Sequence, residues 1–308
     1  VALSTVGFTG ADLENLLNEA ALMTARHNKK EITMQEITDA TFRVQMGPQK
    51  NSKKLSDKVK KLTAYHEAGH AVVLRATSEF EKVDRVTIVP VGRAGGFTAY
   101  KPIEDTDFYT EKMLLDTIKM SLGGRAAEEV FLGEVSTGAS SDLQQCNNIA
   151  KDMIKRYGLS KKFRNLVFGD ENEEVFLGYS MGQVQSYSDQ TAAAIDEEIK
   201  QIIDTCYEDT KRILIEKKNI VEGLATRLID KLTVDGPDFE KIYEANGDLS
   251  AVYPQDYSGI DTTSSVDVEK TEETTYVAPA PAPAPGPSES VPEAPADNDD
   301  SIEPGPTD

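Results

Sequence analysis

The stretch Ala64-Tyr65-His66-Glu67-Ala68-Gly69-His70-Ala71-Val72-Val73-Leu74 decides how the rest of this chain is read. Its small and apolar residues predict a buried helix. Two histidines four positions apart lie on one face of a helix, one turn apart, so both imidazoles can reach a single metal ion. Glu67 then sits beside them, placed to take a proton from a metal-bound water without being a ligand itself. That is the geometry of zinc-dependent peptide hydrolysis. The chain has 3 histidines and two of them stand here, so a chance pair on a solvated helix face is the weaker explanation. Gly69 costs about 1 kcal/mol against alanine in a helix interior, which predicts a neighbouring element packed closely on that position.

Around this stretch the chain has 308 residues, 39% of them hydrophobic, enough for one large or two modest domains with a real core. The net charge of −20 is unevenly spread. From Gln255 to Asp308 there are 13 Asp and Glu against Lys270 alone, a net of −12, which leaves −8 for the rest. Such acidity argues against nucleic acid as a partner. Cys146 and Cys206 are too few for a disulfide framework and fit a reducing compartment. No apolar run is long enough to span a membrane. The chain opens at Val1 as if in the middle of a fold, which predicts a piece of a longer protein.

Upstream of the histidines, residues 4 to 46 predict a small helical unit. Thr9-Gly10-Ala11-Asp12 has capping-box spacing ahead of a stripe of Leu13, Leu16, Leu17, Ala20, Ala21 and Thr24. Thr33-Met34-Gln35-Glu36 starts a second helix that Gly47-Pro48 closes. The lysine-rich residues 49–61 predict a solvated basic linker and a domain boundary. Downstream, Val83 to Pro90 alternates as a strand does, and Gly95-Gly96-Phe97-Thr98-Ala99-Tyr100 predicts its partner. Gly95, Gly96, Phe97 and Thr98 are candidates for an edge that would hold an extended substrate by main-chain hydrogen bonds. Helices are expected at about 110–131, after Asp142, at 190–215, 217–231 and near 237–245. The fold class is therefore mainly α, with a small β-sheet. From residue 251 on, the chain is acidic and rich in proline and alanine, which predicts a disordered tail at 251–308.

A catalytic zinc takes three protein ligands and keeps a fourth position open. A third histidine six residues past the second is absent, since Ala76 stands there, and no Asp or Glu lies between Arg85 and Ile103. His27 falls across the basic linker. The remaining candidates are Asp142, Glu128, Glu129 and, more distantly, Cys146. Asp142 has the better local chemistry, because it follows the small-residue loop Thr137-Gly138-Ala139-Ser140-Ser141 at a helix start, where the helix favours its charged form. Glu128, behind Gly123-Gly124-Arg125, is expected to orient a ligand histidine from behind.

Tyr65-His66-Glu67-Ala68-Gly69-His70-Ala71, Gly123 to Glu129 and Ser136 to Asp142, in that order, resemble the signatures of the FtsH-type ATP-dependent zinc metalloproteases, a membrane-anchored AAA+ protease family. Gly7 to Leu13 and Asn18-Glu19-Ala20-Ala21 look like the helical lid of the ATPase module that precedes the protease there. The resemblance covers about residues 1 to 247 and implies a C-terminal fragment. It implies an AAA+ lid at 1–48, a linker at 49–61, a zinc metallopeptidase domain at 62–250 and the tail at 251–308. It further implies His66, His70 and Asp142 as Zn2+ ligands, Glu67 as catalytic base, and Gly10 and Ala11 near the ATP adenine. In the full-length protein it implies ATP with Mg2+, a homo-hexamer, unfolded or damaged membrane and soluble protein substrates, and an N-terminal membrane anchor with the protease facing the cytoplasm. The departures are the missing Walker motifs, arginine finger and transmembrane segment, and a tail outside the family core. The alternative expectation is a non-catalytic, ring-forming scaffold module of an AAA+ assembly.

Overall fold

The computed structural model describes residues 1–5, 7–47, 55–91, 94–104, 108–168 and 187–257. Two helices come first, α1 (Gly10–Arg26) and α2 (Met34–Met46). A reciprocal capping box starts α1: the Thr9 N–H donates to Asp12 at 2.8 Å and the Asp12 N–H to the Thr9 hydroxyl at 3.3 Å. Leu16 and Ala20 bury against Ala40 of α2, with Phe8 and Ile37 alongside. The apolar stripe expected on α1 is narrower than its sequence, since Leu13 and Leu17 are exposed.

The helix α3 (Asp57–Thr77) carries the histidine pair and is buried from Glu67 to Leu74. It begins inside the expected basic linker. The Ser56 hydroxyl caps it, so Lys58, Lys60 and Lys61 lie on its first turns, while 48–54 lie outside the described residues. The strands β1 (Glu81–Thr87) and β2 (Phe97–Pro102) follow and pair antiparallel. The helix α4 (Glu111–Ala127) then crosses α3 so tightly that a Cβ on Gly69 would sit 2.3 Å from the Gly123 carbonyl oxygen. Only glycine on both helices permits that approach. At its end α4 widens into a π-helical turn, Glu128–Leu132, and a 3-10 turn at Thr137–Ala139 leads into α5 (Ser140–Lys155).

The long helices α6 (Asp189–Glu216) and α7 (Lys218–Lys231) pack behind, followed by β3 (Thr233–Asp235), α8 (Gly236–Glu244), α9 (Leu249–Val252) and α10 (Pro254–Tyr257). The three-residue β3, too short to show a period in the sequence, pairs with β1 and completes a sheet of order β2-β1-β3. The main core joins Val72 and Leu74 of α3, Val86, Leu224 and Leu228 of α7, and Phe239 and Ile242 of α8. The sheet meets the helical unit at Arg85. Its guanidinium pairs with Asp39 at 2.8 Å and Asp235 at 2.7 Å and lies 4.3 Å from the centre of the Phe42 ring. Phe42 also faces Phe97 of β2, ring centres 6.0 Å apart.

The first residues of the expected tail are ordered. Leu249–Val252 and Pro254–Tyr257 are helical, and between them Tyr253 lies with its ring centre 3.7 Å from Arg227, which pairs with Asp256 at 2.8 Å. The remainder of the tail, 258–308, lies outside the described residues. No helix among the described residues is long and apolar enough to cross a membrane.

Candidate active site

The helix α3 has to present two imidazoles inward, and it can do so because Ala64, Ala68 and Ala71 around them carry no bulk. His66 Nε2 and His70 Nε2 lie 3.1 Å apart. Asp142, on the first turn of α5, brings one carboxylate oxygen to 3.4 Å from His66 Nε2 and 3.8 Å from His70 Nε2. Four ligands at about 2.0–2.2 Å from a tetrahedral zinc stand about 3.3–3.6 Å from one another. The three observed separations bracket that figure.

The far side of each ring fixes which nitrogen is free. His70 Nδ1 donates to the Met120 carbonyl at 2.7 Å, and His66 Nδ1 donates to Glu128 at 2.8 Å. A neutral imidazole that donates through Nδ1 offers a lone pair at Nε2. Two such lone pairs and a carboxylate oxygen all face one point, an arrangement that calls for a cation. These three residues are the group of His, Cys, Asp and Glu side chains among the described residues that could hold a metal ion.

The charges around the site agree with that demand. Burial pulls the His66 pKa down, but the Asp142 and Glu128 carboxylates outweigh it and raise it to about 10: these carboxylates draw a positive charge to His66 Nε2, a proton that a metal ion would displace to reach the lone pair. Burial and the neighbouring His66 charge push His70 down and keep it neutral. Asp142 is lowered although burial opposes this, because His66 and His70 favour its charged form. Burial raises Glu67, only 5% exposed, to about 7. Its Oε2 accepts from the Thr98 hydroxyl at 2.9 Å.

The other sequence candidates fall in distinct places. Glu128 is buried, with one oxygen on His66 and both anchored by Ser136, through its N–H at 2.6 Å and its hydroxyl at 2.9 Å. It stands at the start of the π-helical turn and joins His66 to the loop that leads to Asp142. Glu129 points away, onto Tyr207 and Lys211. Cys146 is buried, donates towards the Ile118 carbonyl at 3.7 Å, and burial pushes its thiol up to about 12. His27 stays near Glu36 in the helical unit. Gly10 and Ala11 open α1 and are exposed, away from the histidines in the other helical unit. Gly95 and Gly96 precede β2, and Phe97 and Thr98 begin it; β2 is one of the two outer strands of the sheet.

Three contributors were not among the sequence candidates. The Met120 carbonyl has no side-chain signature to find. Ser136 stands in the signature Ser136 to Asp142 with no role that its sequence position reveals. Gly124 leaves the room the rings occupy: a Cβ there would sit 2.5 Å from both His66 Cε1 and His70 Nε2.

Comparison with known proteins bears on the same residues. Residues 53–242 match the family described as Peptidase family M41. The chain belongs to that family. Residues 1–39 match an AAA+ lid domain. Among similar proteins, the ATP-dependent zinc metalloprotease FtsH of Ruminiclostridium cellulolyticum is 52% identical over 244 residues, 79% of this chain and 39% of that protein. The protein of the same name from Bacillus subtilis is 47% identical over 245 residues, 79% of this chain and 38% of its own. That from Veillonella parvula is 42% identical over 279 residues, covering 89% and 44%. The chain thus spans less than half the length of these relatives.

Proposed function

We propose that this chain carries the peptidase part of an ATP-dependent zinc metalloendopeptidase. The observation behind this is the convergence of His66, His70 and Asp142, their ligand atoms within 4.8 Å of one another, beside the buried carboxyl of Glu67. In this proposal those three residues hold zinc, and Glu128 orients His66. Bound zinc supplies a Lewis acid that lowers the pKa of water and polarises the scissile carbonyl. Glu67 takes the proton of the attacking water and passes it to the leaving amine. Burial raises the Glu67 carboxyl above the ordinary carboxylate range, the direction that favours its taking up a proton. No side chain forms a covalent link to the substrate. The outer edge of β2, entered through Gly95, Gly96, Phe97 and Thr98, holds the peptide extended.

Residues 1–48 act as the C-terminal lid of an AAA+ module, with Gly10 and Ala11 near the adenine of ATP, and residues 62–250 form the peptidase domain. ATP with Mg2+ is then used by the full-length protein, which works as a membrane-anchored homo-hexamer on unfolded or damaged membrane and soluble proteins, its protease facing the cytoplasm. A scaffold role would leave the buried Glu67 beside the histidines without a use. The test is Glu67→Gln. Cleavage of unfolded casein should stop while zinc remains bound, and retained cleavage sinks the proposal.

A further inference from the structure

Thr98 points away from the edge that would receive a substrate. Side chains alternate along a strand, so Phe97 turns to the ring of Phe42 on one face while Thr98 turns to α3 on the other. Its register is fixed by pairing with Val86 of β1. From there its hydroxyl reaches Glu67 at two atoms, Oε2 at 2.9 Å and the main-chain carbonyl at 3.1 Å. No other hydrogen bond to this carboxylate is made by the described residues. Two positions earlier on the same face, Gly96 has no side chain, and a Cβ built there would lie 2.9 Å from Glu67 Oε1 and 2.6 Å from the Thr87 carbonyl oxygen. One oxygen of the carboxylate is therefore gripped by Thr98, while the other makes no hydrogen bond to the described residues, the Gly96 backbone packing too closely beside it for any side chain there.

We propose that Thr98 is the positioning residue for Glu67, fixing Oε2 so that Oε1 is the oxygen that carries the proton. This rests on the role proposed for Glu67 above. A glutamate side chain has three rotatable torsions, and one hydroxyl on one oxygen removes the last two from free choice. Proton transfer requires the carrying oxygen within hydrogen-bond reach of the water, so a carboxylate free to turn spends much of its time out of position. The strand that delivers Thr98 is also the one proposed to hold the peptide, so substrate register and base orientation are set by the same element.

The experiment compares Thr98→Val, which keeps the shape and loses the hydroxyl, with Thr98→Ser, which keeps the hydroxyl, in the zinc-loaded chain on an unfolded fluorogenic casein peptide. With zinc content and circular dichroism matching wild type, Thr98→Val should lose about 10- to 100-fold in kcat with KM within about twofold. Thr98→Ser should stay within about threefold in kcat. Crystal structures add a readout independent of turnover: the Glu67 carboxylate should rotate away in the valine variant and stay in place in the serine variant. Wild-type kcat in Thr98→Val, or equal losses in both variants, overturns the proposal while leaving the peptidase assignment intact. A zinc-loaded wild-type chain that cleaves nothing overturns the peptidase assignment itself, and this proposal with it.

Discussion

Replacing Gly124 by alanine should abolish metal binding without unfolding the chain. The added Cβ would sit 2.5 Å from His66 Cε1, 2.5 Å from His70 Nε2 and 2.6 Å from His66 Nε2. Non-bonded heavy atoms settle at about 3.5–4.0 Å, so the rings must retreat by about 1 Å. Neither ring can slide freely, because His70 is held on the Met120 carbonyl and His66 on Glu128. Separating the two helices instead would open the glycine contact between Gly69 and Gly123. Ligand distances at a metal tolerate about 0.2 Å, so a 1 Å displacement removes the site. Overpacking costs about 1–3 kcal/mol, and alanine returns about 1 kcal/mol through its helix propensity, so the fold should persist. Zinc affinity, measured by competition against a chromophoric chelator, should fall at least about 100-fold. Gly95→Ala is the control, since its Cβ would meet nothing nearer than Thr63 at 3.8 Å, and its affinity should not change. A folded Gly124→Ala chain that binds zinc as wild type does would refute the reasoning.

Two further outcomes follow from contacts outside the ligand set. Glu128→Gln exchanges the carboxylate that holds His66 Nδ1 and receives Ser136 for a neutral amide, so zinc affinity in the same titration should fall about 10- to 100-fold with the fold kept. In the helical unit, Glu36 is lowered from 4.5 to about 2, mainly by Lys29 and then by the Thr33 hydroxyl. A depressed carboxyl stabilises the folded state fully above its unfolded pKa and loses that contribution as pH falls through the folded one. The melting temperature of wild type should therefore exceed that of Glu36→Gln above pH 5, and the gap should close between about pH 4.5 and 2.

The site was legible where chemistry follows local period. His66, Glu67 and His70 share one helix, so spacing alone placed both imidazoles on one face. Asp142 could be ranked from its loop but not fixed, since about seventy residues separate it from the pair and only the crossing of α3 and α4 with α5 behind them closes that gap. Glu128 and Glu129 are neighbours with opposite fates, one on His66 and one on Lys211. Neighbours on a helix point in different directions, so only one of the two can face His66, and it is Glu128, the one its place behind Gly123-Gly124-Arg125 marks in the sequence. Thr98 was noted as part of a strand, but which face it took depended on pairing with Val86. At the C-terminal end, composition does not reveal that residues up to 257 are ordered, because the stacking of Arg227 on Tyr253 is a tertiary contact that composition cannot carry.

Metal content tests the central claim most directly. Purified, folded wild-type chain and its Glu67→Gln variant should each hold one zinc per chain by elemental analysis after dialysis, and folded Asp142→Asn should hold close to none. Zinc near zero in folded wild type, or a full equivalent in Asp142→Asn, would contradict the account.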